Sequence, residues 1–129
     1  MCNKFSEEEY NRMLEKLFVR FPSFQKVGAG AYKPGIGNME FFDQLAGHPH
    51  RQYRIIHIAG TNGKGSTSST LAAVLQESGY KVGLYTSPHL VDFRERIKVN
   101  GKVASKEYVI GFVEAHREFF EPLSPSFFE

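Results

Sequence analysis

Residues 55 to 66 read Ile-Ile-His-Ile-Ala-Gly-Thr-Asn-Gly-Lys-Gly-Ser, an apolar run that breaks into a glycine-rich turn carrying one lysine and a hydroxyl. Such a turn can cradle phosphate. Glycines at Gly60, Gly63 and Gly65 let the backbone curl with its N–H groups inward, where a Cβ would clash or hold the anion away. Lys64 supplies a mobile positive charge of the kind that reaches β- and γ-phosphates. The segment after it, Ser66 to Ser78, has Leu71, Val74 and Leu75 as apolar residues and stops at Gly79, so it reads as a helix whose positive end faces a bound anion.

The spacing departs from the standard P-loop, which asks for glycine, four residues, then Gly-Lys followed by Ser or Thr. Ile58 stands where the first glycine would be, and Gly65 where the hydroxyl would be. A hydroxyl directly after the lysine would reach Mg²⁺, whereas Ser66 comes one position later and is rotated by roughly 100° around a helix. Either Ser66 serves from a shifted loop or another residue does.

The other chemistry-bearing residues have simpler readings. His48 and His50 flank Pro49 and could ligate a metal, but no third ligand lies near them in sequence, so a solvated turn is preferred. Arg94, Glu95 and Arg96 could guide an anionic substrate; taken alone they read as the solvated face of a hairpin. His89 and Asp92 are candidates for positioning or for a substrate loop rather than for proton transfer. His116 reads as a core-edge histidine, and His57 as buried or half-buried structure.

These residues need elements to position them. Ser6 with Glu9 has the spacing of a capping box, and Tyr10, Met13, Leu14, Leu17 and Phe18 follow at helical intervals, giving an amphipathic helix that ends before Pro22. Residues 27 to 37 are glycine-rich without a strand before them and read as a loop, not a dinucleotide fingerprint. Asn38 is placed to cap a short helix through Met39, Phe41, Phe42 and Leu45, ending at Gly47. Beyond the phosphate loop, Lys81 to Thr86 reads as a strand, which with the apolar run before Gly60 predicts a parallel, right-handed βαβ crossover. Ligands collect at the carboxyl ends of such strands, so the crossover places Thr86 to Leu90 beside the loop and makes Ser87 a candidate Mg²⁺ ligand. Asn100-Gly101 signals a type I′ hairpin, and Ser105 caps a helix with Val109, Phe112, Val113, His116 and Phe120 on one face.

The strings Ala59-Gly60-Thr61-Asn62-Gly63-Lys64-Gly65-Ser66, Tyr85-Thr86-Ser87-Pro88-His89-Leu90 and Arg94-Glu95-Arg96-Ile97 together resemble the folylpolyglutamate synthase/dihydrofolate synthase family of Mur-ligase-like, ATP-dependent amide ligases. The related peptidoglycan ligases usually place Thr or Ser straight after the lysine, so Gly65 and Ser-Pro-His-Leu point to the folate branch. The resemblance runs from about Phe21 to Glu129 and implies an α/β fold: a P-loop-containing, three-layer, parallel-sheet domain of Mur-ligase type, of which residues 1–129 are the N-terminal portion. It implies that Gly60, Thr61, Asn62, Gly63, Lys64, Gly65 and Ser66 bind ATP, with Lys64 catalytic, and that Ser87 holds Mg²⁺. It further suggests a pteridine or folate pocket lined by Ala31, Tyr32, Lys33, Pro34, His89, Ser126, Phe127, Phe128 and Glu129. The activity implied is addition of L-glutamate to dihydropteroate or folates through an acyl phosphate. The alternatives are a peptidoglycan-type amino-acid ligase and a non-catalytic nucleotide-binding module.

Composition bounds these expectations. The chain has 129 residues, 41% of them hydrophobic, which suffices for one modest core. A net charge of +2 is too balanced to suggest a polyanion partner, so no nucleic acid is expected. Cys2 is the lone cysteine, which excludes an internal disulfide, and no run of ~18 apolar residues occurs, so no membrane partner is expected and a cytoplasmic monomer is the reading. Phe119, Phe120, Phe127 and Phe128 crowd the last residues, and two parallel strands are too few for a doubly wound sheet; the chain is therefore expected to be part of a longer enzyme.

Overall fold

The computed structural model describes residues 6–21, 35–123 and 125. They form two compact units, Met1–Ile55 with Ile110–Glu129, and Ile56–Val109. In the first unit, helix α1 spans Glu7–Arg20. Its capping box forms as the sequence predicts: the Glu9 N–H donates to Ser6 Oγ at 3.2 Å while the Ser6 N–H donates to the Glu9 carboxylate at 2.6 Å. Tyr10 and Met13 from the apolar stripe are buried, and Phe21 closes the helix by donating its N–H to the Leu17 carbonyl. Helix α2 spans Gly37–Leu45 with Ile36 in the N-cap position and no side-chain cap. Asn38 therefore lies within the helix rather than capping it, because Gly37, with no Cβ to position, already adopts helical backbone. The chain leaves α2 through Gly47 (φ +74°) and His48 (φ +57°), both left-handed, and enters a 3₁₀ turn over Pro49–Arg51.

In the second unit, helix α3 spans Lys64–Glu77 and ends, as expected, on left-handed Gly79 (φ +86°). It begins two residues earlier than the apolar pattern suggests, since Gly63 takes the N-cap position. Strands β1 (Gly83–Tyr85), β2 (Ile97–Val99) and β3 (Lys102–Val103) form one antiparallel sheet in that order. Tyr85 pairs with Ile97 and Gly83 with Val99, while Val99 pairs with Lys102 across the hairpin. The Asn100-Gly101 turn is as predicted, both residues having positive φ, +47° and +73°, as a type I′ turn requires. Asn100 also ties the turn to the chain entering β1, accepting the Val82 N–H on its side chain at 2.8 Å.

The expected parallel crossover is not formed among the described residues. Residues 55–59 belong to no strand among the described residues, and β1 finds its partner in the later hairpin. His57 is consequently exposed, not buried, and Ile55 and Ile56 are 60% and 61% exposed.

Helix α4 spans Lys106–Ala115 and helix α5 spans Arg117–Leu123. Ser105 caps α4 as expected, accepting the Tyr108 N–H at 3.1 Å. Half-buried His116 stacks on Phe112 at 4.3 Å and bonds the Phe112 carbonyl through Nδ1, so its structural reading holds.

Candidate functional site: a glycine loop and an arginine-braced serine loop

The glycine loop owes its shape to two positions. Gly60 has φ +152° and Gly63 φ +79°, and an L-residue with a side chain is strained at both. An added Cβ would meet nothing within 4 Å at Gly63 or Gly65, so crowding by the protein is not what these glycines avoid. This corrects half of the expectation: Gly60 and Gly63 serve the backbone, and Gly65, which needs no left-handed conformation, leaves open surface on the first turn of α3.

Lys64 is the first residue of α3, and no side chain caps the helix at Gly63. The N–H groups of the first turn therefore face outward, with the positive end of the helix dipole behind them. The Lys64 ammonium folds over the loop, donating to the carbonyls of Gly60 at 2.5 Å and Thr61 at 3.1 Å. Thr61, Asn62, Gly65 and Ser66 are all exposed around it. Ser68 turns away and bonds back to the Lys64 carbonyl.

A second loop follows β1, where the Ser87-Pro88 peptide is cis. Its brace is Arg96, whose residue is only 4% exposed. The Arg96 guanidinium donates to Ser87 Oγ and to His89 Nδ1, each at 2.8 Å. Because a guanidinium only donates, Nδ1 must accept, which fixes the neutral His89 ring with its proton on Nε2. Burial and then the Arg96 charge hold the His89 pKa below its ordinary value, in keeping with that tautomer. His89 also meets Phe93 edge to face at 6.0 Å.

Glu95 holds the loop from the other side. Its carboxylate accepts the N–H groups of Leu90, Val91 and Asp92 at 2.9, 2.9 and 2.7 Å. These bonds, first Asp92's and then those of Leu90 and Val91, hold its carboxyl below the usual range. Asp92 in turn accepts from Arg94 Nη2 at 2.8 Å and from the Arg94 backbone N–H. The 3₁₀ turn Phe93–Arg96 is thus a brace for residues 87–92 and not the solvated hairpin face expected of Arg94, Glu95 and Arg96. The Asp92-to-Glu95 spacing, the same three-residue interval seen at Ser6, was the available signal for it.

Of the remaining candidate residues, Ala31, Tyr32, Lys33 and Pro34, together with Ser126, Phe127, Phe128 and Glu129, lie outside the described residues. A further group escaped the sequence reading: Asp43 joins His48 and His50, accepting from their Nδ1 atoms.

A glycine loop opening a helix, with a lysine at the first helical position, has the form of a helix-N-terminal anion cradle. No family model matches the chain. The chain is 45% identical over 91 residues to the dihydrofolate synthase/folylpolyglutamate synthase of Bacillus subtilis, covering 70% of this chain and 21% of that protein. It is 48% identical over 72 residues to the dihydrofolate synthetase of Saccharomyces cerevisiae, 56% of this chain and 17% of that one. Among solved structures, the folylpolyglutamate synthase of Thermotoga maritima superposes with a TM-score of 0.79 at 36% identity, over 94% of this chain and 28% of the other. An FPGS–AMPPCP–folate complex gives 0.69 at 32% identity, over 88% and 26%. FolC of Escherichia coli in complex with ADP gives 0.75 at 27% identity, over 92% and 26%. The chain is therefore a homologue of the folylpolyglutamate/dihydrofolate synthases, and it spans between 17% and 28% of the length of these relatives.

Proposed function

We propose that this chain supplies the phosphate-binding part of an ATP-dependent ligase that adds L-glutamate to dihydropteroate or to folates. The observation that carries the reading is Lys64 at the uncapped start of α3, behind two glycines in left-handed or strained backbone. The complexes of similar proteins with AMPPCP and folate, and with ADP, agree with it in ligand class. The larger frame is the three-layer parallel sheet of Mur-ligase type, to which residues 55–59 would contribute a strand.

Amide formation from a carboxylate fails in water because the carboxylate is a poor electrophile. The ligase meets this by letting the carboxylate oxygen attack the γ-phosphorus of ATP, releasing ADP and leaving an acyl phosphate. The α-amine of L-glutamate then attacks the acyl carbon, and phosphate departs. The chain's own groups act by position and charge. N–H groups at the start of α3, with Thr61 and Asn62, would hold phosphate oxygens. Lys64 would leave the Gly60 and Thr61 carbonyls and neutralise charge that builds on the γ-phosphoryl oxygens.

Mg²⁺ demands oxygen ligands, and the exposed hydroxyl of Ser87, steadied on one lone pair by Arg96, suits it. Ser87 would hold the ion, which when bound offsets phosphate charge. Arg96 and Glu95 then act as positioning residues that keep the serine loop in one shape. His89, with its donor on Nε2, would present a hydrogen bond to a substrate acceptor. Residues 31–34 and 126–129 would line the pteridine pocket.

The test is ADP release by the full-length protein. Release that depends on glutamate and is stimulated by dihydropteroate or tetrahydrofolate supports the ligase; release indifferent to folates contradicts it.

A further inference from the structure

Asp43, His48 and His50 meet at the C-terminal end of α2, and no step of the proposed ligase chemistry uses them. The Asp43 carboxylate accepts from both rings, one oxygen each: Oδ2 from His48 Nδ1 at 2.6 Å and Oδ1 from His50 Nδ1 at 2.5 Å. The backbone enforces the meeting. His48 adopts left-handed φ and donates its N–H to the Asp43 carbonyl at 2.7 Å, and the 3₁₀ turn begun by Pro49 brings His50 to the same carboxylate. The two rings stand edge to face, 6.0 Å apart. One potential ligand atom from each residue lies within 4.8 Å of the others.

We propose that Asp43, His48 and His50 form a binding site for a divalent transition-metal ion of the zinc class, separate from the magnesium that accompanies a nucleotide. Donor type sets the selectivity. Two imidazole nitrogens and one carboxylate oxygen suit zinc or cobalt, whereas magnesium prefers an all-oxygen shell. A carboxylate only accepts, so each Nδ1 facing it bears the hydrogen; ligation through Nδ1 requires that hydrogen to leave, giving the ring whose proton sits on Nε2.

The rearrangement is local. Bonds of about 2.0–2.2 Å to a tetrahedral ion place ligand atoms roughly 3.3 Å apart, so the His–Asp pairs open by less than about 1 Å while ligand atoms now within 4.8 Å of one another close to that spacing. The side chains of His48, His50 and Asp43 are 38%, 47% and 25% exposed, which leaves an entry path and a fourth position for water. The chain has already ordered the three groups, so the ion meets an assembled site. Once bound, it would clip the end of α2 to the turn that follows.

The experiment titrates the chelator-stripped full-length protein with Co²⁺ alone, without nucleotide, and follows visible absorption. The expected result is an intense tetrahedral-type band that saturates at about one equivalent and is displaced by Zn²⁺. His50→Gln and His48→Gln should each weaken it at least about tenfold, while nucleotide binding by both variants stays unchanged. Zn²⁺ should raise the melting temperature of the parent but not of His50→Gln. No saturable band up to millimolar Co²⁺, or a band unchanged in both variants, overturns the proposal. Neither outcome touches the ligase reading, which rests on Lys64 and the folate dependence of ADP release.

Discussion

At the residue scale, Lys64 and Arg96 carry opposite kinds of work. The ammonium of Lys64 is exposed, and the turn beneath it takes its shape from the backbone at Gly60 (φ +152°) and Gly63 (φ +79°), which a change of side chain at 64 leaves in place. Replacing it with alanine should lower turnover by on the order of 10²–10³-fold, the loss typical of a positioned electrostatic group, while the melting temperature hardly moves. A Lys64→Ala enzyme with parental turnover contradicts that assignment. Arg96 is buried and braces two side chains at once. Arg96→Met strands Ser87 and His89 without their donor, a loss of about 1–3 kcal/mol per unsatisfied group where water cannot replace it. The expected result is a raised KM for magnesium nucleotide beyond any loss of stability, checked by kinetics at several Mg²⁺ concentrations; an unchanged Mg²⁺ dependence would remove Arg96 from the serine loop's support. The sequence made Lys64 legible because a glycine-flanked lysine before a helix has few other uses. Arg96 was not legible, because burial of one arginine in a charged triplet is decided by tertiary contact and leaves no local pattern.

The elements show where a local rule suffices. The capping box at Ser6, the Asn-Gly turn and the Ser105 cap were all readable, since each is settled within a few residues by hydrogen bonds the chain makes to itself. Strand pairing was not readable, because β1 had a choice of partners and an antiparallel return through residues 86–96 was the one it could reach. Glycine offers a test at this scale. Gly63→Ala should destabilise by about 1–2 kcal/mol from left-handed strain alone, since its Cβ would meet nothing. Gly65→Ala should instead stabilise α3 by up to about 1 kcal/mol yet weaken nucleotide binding, if open surface there serves a ligand. Thermal melting with nucleotide titration separates the two, and equal effects of both substitutions would refute the distinction.

Glu95 gives the serine loop a pH signature. Its carboxyl titrates lower in the folded chain than the ordinary value of 4.5, so its contribution is complete above that value and drains away as pH falls below it, through the folded value. The melting gap between the parent and Glu95→Gln should therefore be wide at neutral pH and should narrow as pH falls below 4.5. A gap of constant size across that range would mean that the carboxylate charge does not hold Leu90, Val91 and Asp92.

For the whole molecule, the chain accounts for 17% to 28% of the length of the relatives compared, and the described residues hold one glycine loop, one braced loop and a three-stranded sheet. No helix among them is long and apolar enough to cross a membrane. The family was legible because two specific loop motifs stand together in one chain; the cluster of Asp43, His48 and His50 was not, because a left-handed histidine is what folds the helix end back onto its own carboxylate. The most direct measurement is calorimetry of the full-length protein with ATP and Mg²⁺. The account predicts a saturable, one-to-one uptake at sub-millimolar nucleotide that Lys64→Ala weakens. Absence of any adenine-nucleotide binding at millimolar concentration would contradict it.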